Sequence, residues 1–109
     1  MATHHAAPSE IVDLATWARD LPDEHSKAIV KSAEMELARL TYPAGGDFPL
    51  HSLSGPVVFH CLEGEISFES STTKGILAPG QLVYFEPGEP HSIRAIKDSV
   101  VLLTIIFKA

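Results

Sequence analysis

The sequence predicts an all-β domain, a sandwich or barrel of short strands led by one short N-terminal helix, and three observations carry that prediction. From Pro43 onward, short apolar segments alternate with turn compositions: PAGGD, SLSGP, LEGE, SSTTKG, APGQ, EPGEP and IKDS. Their nearly even spacing belongs to a meander of strands, with no repeat of solenoid length. The chain has 109 residues, 45% hydrophobic and 20% charged, enough for one core and too few for two domains, so one fold carries the function.

Residues 1 to about 10 are polar, Ala-rich and without period, which reads as a flexible tail ahead of a single domain over 11–109. Nothing near His4 and His5 holds them rigid, so they are expected in solvent. From Ile11 to Leu21, the residues Leu14, Trp17, Ala18 and Leu21 recur at helical spacing, and Asp13 is placed to cap. This predicts a short helix that stops before Pro22, with Trp17 as a packing residue. Between Lys27 and Tyr42 two periods compete: Ile29, Ala33, Leu37 and Leu40 suit a helix, whereas Met35 and Leu37 between Glu34, Glu36 and Ala38 suit alternation. Two strands are preferred, because a jelly-roll barrel needs about eight.

The remaining strands are expected at Val57 to Leu62, Ile66 to Glu69, Gly75 to Leu77, Leu82 to Phe85, His91 to Ile96 and Val100 to Phe107. The last is the longest apolar run, broken only by Thr104, and is less than half of what a helix needs to cross a bilayer. A buried strand suits it better. An apolar edge of this kind would also suit a homodimer that pairs through its sheets.

Charge narrows the partners. An excess of 14 acidic over 8 basic residues gives a formal charge of -6, and the basic residues are scattered, which speaks against nucleic acid. The opening MATHHAAPSE has neither the positive start nor the apolar stretch of a secretory signal, so a cytoplasmic protein is expected. The lone Cys61 fits that compartment and excludes an internal disulfide or a cysteine-based zinc cage. No Ser-His-Asp or Cys-His arrangement, phosphate loop or dinucleotide motif is present.

Two spaced motifs carry a resemblance. Gly45 is followed after five residues by His51, then Leu53, then Val57, and six residues further by Gly64 in PVVFHCLEGEISFE. Later, Gly80 is followed after five residues by Glu86, then Pro87 and Gly88, and after two more by His91, with Ala95 four positions on. In this framing the chain resembles the cupin superfamily over about Gly45 to Ile106, as a small single-domain, RmlC-like member. The resemblance implies a double-stranded β-helix (jelly-roll) barrel. It also implies a site of three histidines and one glutamate at the barrel mouth, but Leu53 stands at the second histidine, Val57 at the glutamate and Glu86 at a proline.

The residue types have their own logic. Alternation along a strand turns every second side chain inward, and a histidine on a neighbouring strand can complete a cluster of imidazoles. Of the implied ligands, His51 and His91 remain as candidate metal ligands. One divalent ion (iron, nickel, manganese or zinc) would be held weakly or not at all, since two imidazoles are fewer ligands than catalytic sites use. The nearest carboxylates in sequence for a third ligand are Asp47 and Glu89. His60, three positions after Val57, falls on the outward face, and Cys61 is expected as a small core residue.

Leu53, Val57, Phe59, Phe68, Val83, Phe85 and Ile93 are expected to fill or line the barrel, an apolar pocket for a small molecule with the two histidines as its polar groups. The reading is therefore a small-molecule-binding or sensing barrel with a degenerate metal site and no assigned catalytic residue. The alternative is a metal-dependent enzyme, dioxygenase-like or isomerase-like, using His51, His91 and a non-standard third ligand.

Overall fold

The expected alternation of strands and turns is present in the computed structural model, which describes residues 5–16, 26–51 and 54–107, with 26–27 and 48–51 as backbone. The described strands are β1 (Ser26–Lys31), β2 (Met35–Tyr42), β3 (Asp47–His51), β4 (Val57–Glu63), β5 (Ile66–Ser70), β6 (Lys74–Leu77), β7 (Leu82–Phe85), β8 (His91–Ala95) and β9 (Ser99–Ile106). They form two antiparallel sheets in the orders β1-β2-β9-β4-β7 and β3-β8-β5-β6. The chain passes from one sheet to the other at most connections, as in a jelly roll.

The ambiguous stretch resolves into β1 and β2, and the turn between them explains why. Ser32 Oγ accepts hydrogen bonds from the backbone N–H of Glu34 and Met35, both at 3.2 Å, and so reverses the chain inside the would-be helical run. After the turn the period is two, with Ala38 and Leu40 buried on either side of half-buried Arg39.

The short N-terminal helix is a correction. Among the described residues there is no helix, and around Asp13 there is one turn, in which Asp13 Oδ1 accepts from Ala15 N at 3.0 Å and Asp13 O from Thr16 N at 3.1 Å. Ile11 and Leu14 would share a helix face, yet Ile11 is 93% exposed. It is Val12 and Leu14, two apart, that are half-buried, the spacing of an extended segment. Residues 17–21, with Trp17, Ala18 and Leu21, lie outside the described residues. Tertiary anchors decide the outcome: Ala6 N donates to Ile29 O on β1, and Arg39 Nε donates to Leu14 O at 2.9 Å.

The inward faces of the sheets meet in one core of Ala38, Leu40, Val57, Phe59, Cys61, Ile66, Leu77, Phe85, Ile93, Ala95, Val101 and Leu103. Each large side chain buried here contributes roughly 1.5–3 kcal/mol. The run Val100 to Phe107 maps onto β9, which lies between β2 and β4; it is a central strand, and its apolar character is explained by burial rather than by an edge.

Two glycines shape this core. At Gly64, in the β4–β5 turn, φ is +87°, and a Cβ would collide with the Ser99 hydroxyl and the Asp98 carbonyl. Gly75 lies opposite Phe68 in the β5–β6 register, where a Cβ would come within 2.7 Å of the Phe68 ring. The missing side chain is the space that the ring occupies.

The outer faces differ. On the β3-β8-β5-β6 sheet a row of Asp47, Arg94 and Ser67 and a row of Ser92, Glu69 and Lys74 run across the strands. On the five-stranded sheet Leu82 and Tyr84 are each 56% exposed beside half-buried Val58, His60 and Thr104. Among the described residues, no helix is long and apolar enough to cross a membrane.

Candidate functional site

Strand direction sorts the barrel into two ends. The turns 43–46, 64–65, 78–81 and 96–98 gather at one end, and the connections 32–34, 54–56, 71–73 and 86–90 at the other, the mouth. Around the mouth the register builds a layer from both sheets. In the five-stranded sheet Glu36, Ile105, Val57 and Phe85 are successive cross-strand neighbours on β2, β9, β4 and β7. In the other sheet His51, His91 and Ser70 are neighbours on β3, β8 and β5. The two candidate histidines, 40 positions apart in sequence, are thus paired directly across the β3–β8 ladder.

His91 is held on every side. It is 1% exposed, and its ring stacks on Phe85 with centroids 4.4 Å apart and planes at 5°. Phe59 meets it edge-on at 5.7 Å. Its Nδ1 lies 3.0 Å from the Glu89 carbonyl oxygen, which can only accept, so Nδ1 carries the proton and in the neutral ring Nε2 is the acceptor. A backbone carbonyl that fixes one ring nitrogen in this way is the ordinary device for aiming the other at a ligand.

The remaining candidates take these places. Val57, Phe59, Phe85 and Ile93 are buried in the core, with Phe68 and Val83 packed against it. Phe59–Phe85 and Phe68–Phe85 are both edge-on contacts at 6.0 Å, which continues the aromatic stack below His91. Leu53 lies outside the described residues. Cys61 is buried, and burial pushes its thiol pKa up, away from the reactive thiolate. His60 is on the outer face, opposite Leu82 and Leu102.

Neither carboxylate considered as a third ligand converges on His91. Asp47 is exposed, opposite Arg94 at the far end of β3, because the turn that precedes it belongs to the closed end. The Glu89 carboxylate is engaged in its own turn, accepting from Glu86 N at 3.1 Å. Ser70, beside His91, is likewise occupied: its Oγ accepts from Thr72 N and Thr73 N at 3.3 and 3.2 Å. The carboxylate that does belong to the mouth layer is Glu36, two positions before buried Ala38 on the same face of β2. Its alternation with Ala38 and Leu40 was the available signal; the competing helical period obscured it.

A two-sheet jelly-roll barrel with a histidine pair at its mouth defines the class. The cupin domain family matches residues 38–107, and the chain belongs to it. Solved structures agree on the fold. The protein TT1209 from Thermus thermophilus is similar with a TM-score of 0.79 and 25% identity, covering 92% of this chain and 99% of that one. An RmlC-like cupin from Shewanella frigidimarina NCIMB 400 is similar with a TM-score of 0.72 and 14% identity over 76% and 75%. A predicted oxalate decarboxylase from Thermotoga maritima is similar with a TM-score of 0.68 and 21% identity over 77% and 79%. No curated protein matches the chain.

The metal that the family implies can be tested against the donors present. Val57 brings no donor atom, and neither does Leu53 by its chemistry. Among the described residues no three His, Cys, Asp or Glu side chains come together. The residues do not fit the family's four-ligand set.

Proposed function

We propose that this cupin is a small-molecule-binding or sensing barrel whose ligand enters the mouth layer and is oriented by His51 and His91. The observation that carries the reading is His91: a buried imidazole, stacked on Phe85 and fixed at Nδ1 by the Glu89 carbonyl, with His51 at the paired position. Fixing a buried polar ring so firmly costs conformational freedom, and such preorganisation is useful where a ligand must be oriented. Val57 and Leu53, at the positions where the family carries its other ligands, leave a drier pocket than a metal-loaded relative has. The buried, lone Cys61 suits a cytoplasmic location. The exposed Leu82 and Tyr84 support pairing of two copies through the five-stranded sheet.

Metal analysis of protein purified without chelator tests this, with His51→Ala and His91→Ala beside the wild type. The expected result is no stoichiometric metal in any of the three. Near-stoichiometric iron, nickel, manganese or zinc that disappears in both variants would overturn the reading in favour of a metal-dependent enzyme.

A further inference from the structure

The outer face of the four-stranded sheet carries a groove of about 640 Å³ whose walls are charged and whose floor is not. Along β8 and β5 the buried Ile93 and the core-packed Phe68 point inward, so Ser92, Arg94, Ser67 and Glu69 point outward. The register sets these four as a square, with Arg94 opposite Ser67 and Ser92 opposite Glu69. Long charged side chains therefore occupy one diagonal and short hydroxyls the other. Ser67 Oγ lies down against the sheet, donating to Arg94 O at 3.3 Å. Asp47 flanks Arg94 on β3, and Lys74 flanks Glu69 on β6. Asp47, Arg94, Glu69 and Lys74 are all exposed, and among the described residues none of them is in an ion pair.

The arrangement is its own complement. When a second copy is laid face to face, a two-fold axis across the strands, midway between the two rows, exchanges the rows. Arg94 of the second copy then falls over Ser92, and its Glu69 over Ser67, each long side chain filling the groove above a short one. Strands are roughly 4.8 Å apart, so the second copy's Arg94 comes within one strand spacing of Glu69, and its Glu69 within one of Arg94. Its Lys74 falls over Ile76, where an aliphatic stem covers an apolar side chain that is 58% exposed. A nucleic acid or a free anion would meet a carboxylate beside each of these cations, whereas an even mixture of signs suits a surface with the same mixture.

We propose that this face is a self-pairing surface, through which two copies of the chain associate by reciprocal Arg94–Glu69 ion pairs. Its charges are solvated and its area is small, so the pairing is weak and salt-sensitive, at the low end of specific interfaces. It is separate from the mouth and from the pairing through Leu82 and Tyr84 on the other sheet.

Charge exchange tests it, with self-association of the full chain read by sedimentation at about 0.05 M salt. Arg94→Glu puts carboxylates at both positions and Glu69→Arg puts cations at both, so each variant alone is expected to self-associate about tenfold more weakly than the wild type. An equimolar mixture of the two variants restores both pairs and is expected to associate as the wild type does. About 0.5 M salt is expected to bring the wild type and the mixture down to the level of the single variants. Pairing through Leu82 and Tyr84 is common to all of these samples, so only the differences among them report this face. Single variants that associate as the wild type does, or a mixture no better than its components, would overturn the proposal and leave the pairing at Leu82 and Tyr84 standing. The salt arm needs no variant: a wild type that is monomeric at low salt, or whose association salt leaves unchanged, overturns it equally.

Discussion

At the end of the barrel where Gly64 turns, neighbouring connections are bonded to one another, whereas at the mouth the 71–73 and 86–90 connections are bonded within themselves and Glu34 and Pro56 are tied only to the end of β9 among the described residues. Gly45 N donates to Ala95 O, Ile96 N to Glu65 O, and Ala44 N to Asp98 Oδ1, each at 2.8 Å. Ser99 Oγ, buried, accepts from Glu65 N at 3.1 Å and donates to Lys97 O at 2.7 Å, tying the β4–β5 turn to the β8–β9 turn. At the mouth, Glu89 N returns to Glu86 O and Ser70 N to Thr73 O, bonds internal to single turns. The difference teaches where stability and function separate. Bonds that join several turns are lost together, so the closed end resists change. Connections that satisfy themselves can vary one at a time around a site.

The largest expected effect sharpens that contrast from the closed end. Gly64→Ala must adopt a positive φ and displace Ser99, so it is expected to cost about 3 kcal/mol or more. Urea denaturation would read this as a lower midpoint with an unchanged slope. A loss under about 1 kcal/mol would break the comparison, since the turns would then be free to move apart.

Alkaline pH probes the same end more gently. Tyr42, opposite Ser99 in the β2–β9 register, has its phenol pKa pushed up to about 12 by burial. An unfolded tyrosine loses its proton near pH 10, so the burial of neutral Tyr42 stabilises the fold fully below pH 10, and this contribution declines as pH rises from 10 to about 12. The Tyr42→Phe variant is expected to lose less stability than the wild type over that interval, measured by the denaturation midpoint at successive pH values. Parallel declines in both proteins would remove Tyr42 from the account.

The smallest effect on stability is expected at the mouth. His91→Phe keeps a planar ring on Phe85 and gives up the bond to the carbonyl of half-buried Glu89. The cost is expected to stay within about 1.5 kcal/mol, while binding of any mouth ligand is lost. Unfolding of His91→Phe would mean that the imidazole is a structural element like Ser99, and the division between the two ends would fail.

Much of the architecture followed from local chemistry. Turn residues marked the strands from β4 to β9 to within a residue or two, since Gly, Pro, Asp and Ser specify reversals through φ and local hydrogen bonds. The parity of Phe59, Cys61 and Val57 against His60 was equally readable, because alternation is a property of a single strand. The helix expected from Leu14, Trp17, Ala18 and Leu21 failed where described because spacing cannot report an anchor such as Arg39 on the Leu14 carbonyl, 25 residues away.

By itself, then, the order of residues determined an all-β fold, its turns, its inward faces, and two histidines with the spacing of a site. Only the tertiary structure decided which residues share a layer. Glu36, Ile105, Val57 and Phe85 come from four strands far apart in sequence, and their alignment is set by ladder register and sheet order, which are properties of pairs of strands. The same pairing set His91 across from His51 and put Asp47 at the far end of β3, because a residue's place at a barrel mouth depends on where its strand ends relative to its neighbours, while the Glu89 carboxylate is held by Glu86 N within its own turn.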